Sequence, residues 1–454
     1  MTQQTDSNKI VIVGAGLAGS LMSIHLAKKG FEVEVYEKRP DMRVGKIRAG
    51  KSINLALSTR GLHALKIVGL DEFILKKVIP MKGRMIHPIE GDTTFQPYGL
   101  EKWQVINSIS RAQLNTVLMD AAERTDKVKL FFKQKCTGMN FKNGEIYFID
   151  MESGRKYKRN PETIIAADGA NSSVRMSLLK SGRFNYSQAY LEHGYKELEI
   201  PAGEDGGFRL EKNALHIWPR KSFMMIALPN ADGSFTCTLF FPFEGEIGFA
   251  QLGSGEAVRN FYEEQFPDAV PLISNLENDF VKNPTGNLIT VKCFPWRIGG
   301  KILLFGDSAH AIVPFYGQGM NCAFEDCTYL SACIDKYGDD WENVYSEFEK
   351  MRKQDADAVA DLALENFIEM RDSVADPKFL MKKKAEILLE EKFPGKFQSK
   401  YAMVTFSDIP YSTAMEKGRI QDEVLIDLCR KVETVDELNL DEVFQLISKR
   451  SQRR

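Results

Sequence analysis

Apolar positions first gather in an unbroken run, Ile10–Val13, which predicts a buried strand. Leu17, Leu21 and Ile24 then recur at helical spacing and predict a helix with its apolar side on a sheet. Gly30 stands where such a helix closes in a left-handed residue. Phe31–Tyr36 reads as a second strand, ended by Glu37. Further on, "SRAQLNTVLMDAAER" opens with Ser110 and Gln113 at capping-box spacing and predicts a helix. "VKLFFKQ" predicts a strand, and "ETIIAADGANSSVR" a strand running into a turn. From about Gly194 the pattern changes. "HGYKELEI", "ALHIWP", "SFMMIALP" and "SFTCTLFFPF" are β-rich runs separated by Gly, Pro and Asn, and they predict a largely antiparallel sheet. "KILLFGDSAHAIVPFYGQGMNCAFED" returns to strand, glycine-rich loop and helix. Helical patterns dominate beyond Gly317, and the stretch from about Trp341 to Arg454 is charged and helical.

The expected class is therefore α/β: a Rossmann-like nucleotide-binding domain with an inserted antiparallel β-sheet domain and a helical C-terminal region. The expected boundaries are 1–75, 105–180 and 288–335 for the first, 76–104 and 181–287 for the second, and 336–454 for the third, which would complete the substrate site.

Gly14, Gly16 and Gly19 form G-x-G-x-x-G between the first strand and its helix. The first glycine permits the tight turn, the second lets backbone approach a pyrophosphate, and the third lets helix and strand pack closely. Helix N-termini favour anions. Glu37 lies 23 residues beyond Gly14, where an acid meets a ribose hydroxyl. This unit binds a dinucleotide but does not separate NAD from FAD.

Two later stretches separate them. In "AADGANSSVR" a strand ends at Asp168-Gly169, with Arg175 seven residues past Asp168. In "LLFGDSAHAIVPFYGQGMN" an apolar strand stops at Gly306-Asp307, where a carboxylate can accept from a polyol chain. Gly317 and Gly319 then leave backbone N–H groups open at a helix start, suited to charge developing on a flavin ring. A nicotinamide dehydrogenase has no use for that second Gly-Asp site.

Composition removes other classes. Sixty basic and 62 acidic side chains leave a formal charge of −2, with no electrostatic reason for a nucleic-acid or acidic-lipid partner. "MTQQTDSNK" is too polar for a signal peptide, and no apolar run approaches the ~18 residues of a membrane span. Seven cysteines without C-x-x-C read as reduced thiols of a cytoplasmic protein. The six histidines form no H-x-x-x-H or Cys/His cluster, so no metal is expected.

G-x-G-x-x-G, DG and GD in this order resemble the FAD-dependent aromatic hydroxylases, the class A flavin monooxygenases. "KSINLALSTRG", "GRMIHP", "QPYG", "NALHIWPR", "VPFYGQGMNCAFED", "ALENFIEM" and "YAMVTFS" are similar to segments of one branch of that family, over roughly residues 9 to 430. That branch hydroxylates an aromatic amino acid carrying an anilinic amino group. The resemblance implies FAD as tightly bound cofactor, NADPH or NADH as transient reductant without its own domain, and O2 as co-substrate. It implies a small-molecule partner and a monomer or homodimer. It assigns Arg84, Tyr98, Asn366 and Tyr401 to the amino-acid end of the substrate, and Phe235, Pro314 and Phe315 to apolar walls around the ring. For FAD it assigns Leu17, Glu37, Ala56, Arg111, Cys136, Asp168, Asp307, Met320 and Asn321, beside Gly14, Gly16, Gly19, Gly317 and Gly319.

Elementary chemistry agrees in two places. A carboxylate suits the planar two-pronged donor of an arginine such as Arg84. Arg111, in the first turn of its helix, sits where a cation is unfavourable without an anionic partner. No catalytic base is assigned, because an anilinic nitrogen already enriches its ortho carbon. Tyr316 occupies a loop position that varies among relatives. Eukaryotic members carry a hydrophobic C-terminal anchor, whereas this chain ends "QLISKRSQRR", so a soluble, bacterial-type, cytoplasmic protein is expected. Two other readings stay open: a hydroxylase of another aromatic acid or amine, and a binding module on this fold that has lost its flavin.

Overall fold

Strand Lys9–Val13 pairs in parallel with Glu32–Tyr36 on one side and Thr163–Ala166 on the other. Both faces are covered, which explains an apolar run without alternation. Val128–Phe131 and Ile302–Leu304 extend the sheet in parallel, and Arg297–Ile298 ends it antiparallel. In this computed structural model, residues 9–44, 54–373 and 376–452 are described. The polar N-terminal stretch, the start of "KSINLALSTRG" and the last two arginines lie outside them.

The strands ending at Val13, Ala166 and Leu304 are neighbours running in one direction. Their following loops therefore leave from one edge. Those loops carry Gly14–Gly19, Asp168-Gly169 and Gly306-Asp307, although Gly14 and Asp307 are 293 positions apart in the chain. Open α/β sheets bind ligands at this carboxyl edge.

Helix Leu17–Lys28 differs from the one-sided stripe expected of it: ten of its residues are buried, around the whole circumference. Helices Arg111–Glu123 and Gly319–Tyr337 pack on it besides the sheet. Ser20 and Ser23 turn their hydroxyls back to the carbonyls of Ala15 and Ser20, at 3.2 and 2.7 Å, and so tolerate burial. Gly30 follows the helix with φ +97°. Ser110 caps Arg111–Glu123 by accepting from Gln113 N at 3.4 Å. A meander of Gln134–Asn140, Glu145–Asp150 and Lys156–Arg159 packs on the sheet where Phe148 stacks on Tyr36, 4.4 Å between centroids.

The β-rich region forms a seven-stranded sheet in the order Gly286–Phe294, Asn185–Ile200, Phe235–Pro242, Phe223–Pro229, Ala214–Arg220, Gly83–Ile86, Thr94–Pro97. All pairings are antiparallel except that of Ala214–Arg220 with Gly83–Ile86. One face holds a core of Trp218, Phe223, Phe235 and Phe241, covered by helices Gly255–Gln265 and Leu276–Lys282 through Tyr262 and Phe280. The opposite face meets the C-terminal helices, where Ile217, Met224 and Phe240 pack with Val359, Leu362 and Phe367.

Five α-helices follow among the described residues: Trp341–Ile368, Pro377–Lys392, Lys400–Thr405, Tyr411–Cys429 and Leu440–Ser451. The last buries Val443 and Ile447 against Leu389 and Leu425. Among the described residues no helix is long and apolar enough to cross a membrane. All seven cysteines are buried free thiols.

Candidate active site

One continuous cavity runs from the carboxyl edge of the six-stranded sheet to the junction of the seven-stranded sheet with the C-terminal helices. Its first half is glycine-built. Gly14 has φ +103°, and a Cβ there would lie 2.5 Å from Ala167 O. Gly16 faces open space, with nothing within 4 Å of a Cβ position. Gly14, Gly16 and Leu17 line the cavity, but Gly19 does not. A Cβ on Gly19 would sit 2.1 Å from Gly14 O, so its part is to let the helix close on the turn.

Glu37 lines the cavity and accepts from Ala15 N (3.0 Å) and Arg39 N (2.9 Å), one bond to each oxygen. A carboxylate has about four acceptor positions, which leaves capacity for a diol. Cys136 lies nearby, its thiol pushed up to about 12 by burial and hence neutral. Ala56, Arg111, Gly317, Gly319 and Met320 also line the cavity. Asp307 opens onto it from the start of its short helix. Confinement within the protein raises its carboxyl pKa, with the cations of Arg111 and His310 opposing.

Two assigned residues serve the walls more than the space. Asp168 lines the cavity, yet its oxygens accept from Ser173 N (2.7 Å) and the Ser308 hydroxyl (3.1 Å). Arg175 donates to Ser308 O (2.7 Å) and to Ala170 O. Together they lock the DG loop onto the GD loop, a physical reason for an arginine seven residues after the aspartate. Asn321 is buried and outside the lining. It accepts from Ser58 N (2.9 Å) and donates to Ala56 O (2.8 Å) and Gly317 O (2.9 Å). It thus fixes the strand that presents Ala56.

In the second half, Arg84, Tyr98 and Tyr401 converge from the next-to-last strand Gly83–Ile86 of the large sheet, the loop after its edge strand Thr94–Pro97 and helix Lys400–Thr405. The Arg84 guanidinium carbon lies 5.0 Å from the Tyr401 ring centre and 5.9 Å from that of Tyr98. Burial disfavours this cation, while the phenol oxygens of Tyr401 and Tyr98, as dipoles, and the Glu369 carboxylate, as a charge, hold its pKa above the ordinary value. Arg84 Nε is buried without a hydrogen-bond partner among the described residues. Burial likewise raises the Tyr98 and Tyr401 phenols, so both stay protonated donors. Tyr316 continues the stack beside Tyr401, 5.6 Å between centroids. Asn366 lines the cavity and donates to Phe315 O at 2.7 Å.

Pro314 and Phe315 line the cavity, whereas Phe235 lies on the other face of its strand. Alternation decides this. Along Phe235–Pro242, Phe235, Cys237, Leu239 and Phe241 enter the helix-covered core, while Thr236, Thr238 and Phe240 face the cavity. Phe240 packs on Phe315 at 4.9 Å and stands where an aromatic wall was expected of Phe235. The run "SFTCTLFF", read with period 2, contains that signal.

His310, Cys322 and Asp326 also meet, their ligand atoms within 4.8 Å of one another, although their spacing gives no metal motif. The group is filled by its own charges. His310 Nε2 bonds Asp326 Oδ2 at 2.6 Å and Arg352 Nε donates to Asp326 Oδ1 at 2.7 Å. Arg352 Nη2 also lies 3.4 Å from Cys322 Sγ, so a cation already contacts two of the three groups.

An open glycine turn at a helix start, an acid with spare acceptors 23 residues on and a second acid at the edge suit a flavin dinucleotide. A pyrophosphate would lie on Gly16, a ribose near Glu37, and a ring against Gly317–Met320. With this edge-on site the fold defines an FAD-binding protein. The FAD binding domain family matches residues 7–191 and 287–359. Among solved structures, the tetrameric form of 2-methyl-3-hydroxypyridine-5-carboxylic acid oxygenase shares the fold. It has 20% identity and a TM-score of 0.66, over 83% of this chain and 95% of that one. The kynurenine 3-monooxygenase of Myxococcus xanthus is 49% identical over 97% of this chain and 95% of its own. That of Dictyostelium discoideum is 46% identical over 96% and 95%. The chain belongs to the kynurenine 3-monooxygenase family.

Proposed function

We infer that this protein is an FAD-dependent monooxygenase that converts L-kynurenine into 3-hydroxy-L-kynurenine with NADPH and O2. The observation that carries the substrate reading is Arg84, a buried cation whose Nε has no partner among the described residues, at the far end of a cavity that begins at a dinucleotide turn. Such a group calls for an anion brought in by the ligand. An α-carboxylate meets it, and the Tyr98 and Tyr401 hydroxyls add neutral donors. The amide nitrogen of Asn366 is engaged by Phe315 O, which leaves its carbonyl oxygen to accept from the α-ammonium. The aromatic ring then extends between Phe240, Phe315 and Pro314 toward Gly317–Met320.

Bound FAD supplies the oxygen-activating chemistry. The chain's own residues orient the ring and seal it from water. Buried free thiols fit a reducing compartment, so we take the cytoplasm as its location. The test is mass analysis of the product from L-kynurenine, NADPH and air. Gain of one oxygen ortho to the amino group is expected. Turnover without oxygenated product moves the substrate to another aromatic amine or acid.

The two phenylalanines separate wall from core. Phe240→Ala should raise KM for L-kynurenine roughly tenfold to a hundredfold, the value of about 1.5–3 kcal/mol of lost aromatic burial. Phe235→Ala should instead destabilise the fold by about 3–5 kcal/mol and leave KM of the folded enzyme near wild type. Steady-state kinetics and thermal melts of both variants check this, and the opposite pattern would return Phe235 to the ring wall.

A further inference from the structure

Arg60 is fully buried in the first turn of helix Thr59–Ile67, where an arginine is opposed by the helix dipole and by desolvation. Its hydrogen bonds explain its presence. Arg60 Nε donates to Val404 O at 3.2 Å, Nη2 to Met403 O at 3.4 Å and also to Ile409 O, and Nη1 pairs with Glu325. The guanidinium lies 4.0 Å over the ring of Tyr411. Met403 and Val404 end helix Lys400–Thr405, the six-residue helix that carries Tyr401. The last carbonyls of a helix have no partners within it, and a helix this short has little stability of its own.

The same chain segment faces the flavin side. Asn321 takes Ala56 O at 2.8 Å and Ser58 N at 2.9 Å. A Cβ on Gly61 would meet Asn321 Oδ1 at 2.5 Å, so a glycine is needed where the two elements touch. Tyr411, under the Arg60 guanidinium, donates to Gln318 Oε1 at 2.9 Å, between Gly317 and Gly319. Residues 56–61 are therefore fastened at one end to the loop that lines the flavin half of the cavity, and at the other to the helix that lines the substrate half.

We propose that Arg60 is a positioning residue for hydroxylation: clamped on the carbonyls of Met403, Val404 and Ile409, it sets where Tyr401 stands relative to the Ala56–Gly317 wall. Arg60 touches neither substrate nor flavin and acts through Tyr401. Three carbonyls and a carboxylate need the several N–H groups of a guanidinium in one plane, which a lysine ammonium does not supply. The proposal rests on Tyr401 contacting the amino-acid end of kynurenine.

The test uses the FAD-loaded enzyme. Wild type is first shown to hydroxylate L-kynurenine; if it does not, the substrate reading fails and not the clamp. Arg60→Lys keeps the charge. It should bind FAD in full and oxidise NADPH, yet weaken L-kynurenine, followed by the change in flavin absorbance, by about tenfold to a hundredfold. Hydrogen peroxide released per NADPH should rise together with that loss. Val443→Ala, in the remote core of the terminal helix, controls for lowered stability and should change the melting temperature without changing either quantity. Should Arg60→Lys not fold, Arg60→Met, which leaves Glu325 paired with Arg352, is measured in the same way. Wild-type kynurenine affinity and coupling in the folded Arg60 variant, or equal losses in Val443→Ala, would overturn the proposal.

Discussion

Arg84→Met is expected to retain FAD but to lose nearly all coupled hydroxylation of L-kynurenine. Methionine fills much of the same volume in a site only 8% exposed, so the cavity wall survives. What disappears is the cation that Tyr98, Tyr401 and Glu369 surround. Removing one partner of a buried charged pair is worth about 2–5 kcal/mol, or roughly 30- to 4,000-fold in kcat/KM. Part of the effect comes from Glu369. The lysines 382, 383 and 400 and Arg84 hold its carboxyl ionised against burial, and the variant leaves the carboxylate short of one of these cations. Arg84→Lys should recover only part of the loss, because an ammonium offers no planar pair of donors. Steady-state kinetics with measured product and peroxide checks this, and wild-type coupling in Arg84→Met would remove the amino-acid clamp from the account.

Gly14→Ala should yield protein with little or no flavin. The residue needs φ +103°, and its new Cβ would press within 2.5 Å of Ala167 O and 2.9 Å of Ala167 C. Both neighbours are backbone of the residue that follows strand Thr163–Ala166, pinned by Ala167 N donating to Val13 O at 2.9 Å. Strain of about 1–3 kcal/mol from the dihedral alone, before the clash, lowers FAD affinity by roughly fivefold to a hundredfold. The ratio of flavin to protein absorbance after purification reports it. A fully yellow variant with wild-type affinity would mean that the turn does not set the pyrophosphate position.

Much of this molecule was legible because its motifs are local. The strand, the glycine turn and Glu37 lie within 28 residues, from Ile10 to Glu37, and each imposes its conformation on its own neighbourhood. The meeting of the DG and GD loops with that turn follows once the strands before them are parallel neighbours. Roles that depend on partners from afar were less legible. Asn321 carries an amide suited to a ligand, but Ser58, Ala56 and Gly317 use it. Asp168 spends acceptors on Ser173 and Ser308. Phe235 and Phe240 are both phenylalanines on one strand, and only the period-2 alternation assigns them to opposite faces. Cys322 and Asp326 are four apart on helix Gly319–Tyr337, but His310 reaches them from the separate short helix Asp307–His310, which no spacing rule joins to it. Helix Leu17–Lys28 is buried all round because two helices from elsewhere in the chain reach it.

The central claim is that the carboxylate of an aromatic amino acid, held at Arg84, places the ring for oxygenation beside the flavin half of the cavity. Its most direct test is the yield of hydroxylated product per NADPH consumed, measured with L-kynurenine and with the analogue lacking the α-carboxylate. The account predicts a yield near one for L-kynurenine, and for the analogue a low yield with the reducing equivalents appearing as hydrogen peroxide. Equal yields from the two compounds, or oxygenation of neither, would contradict it.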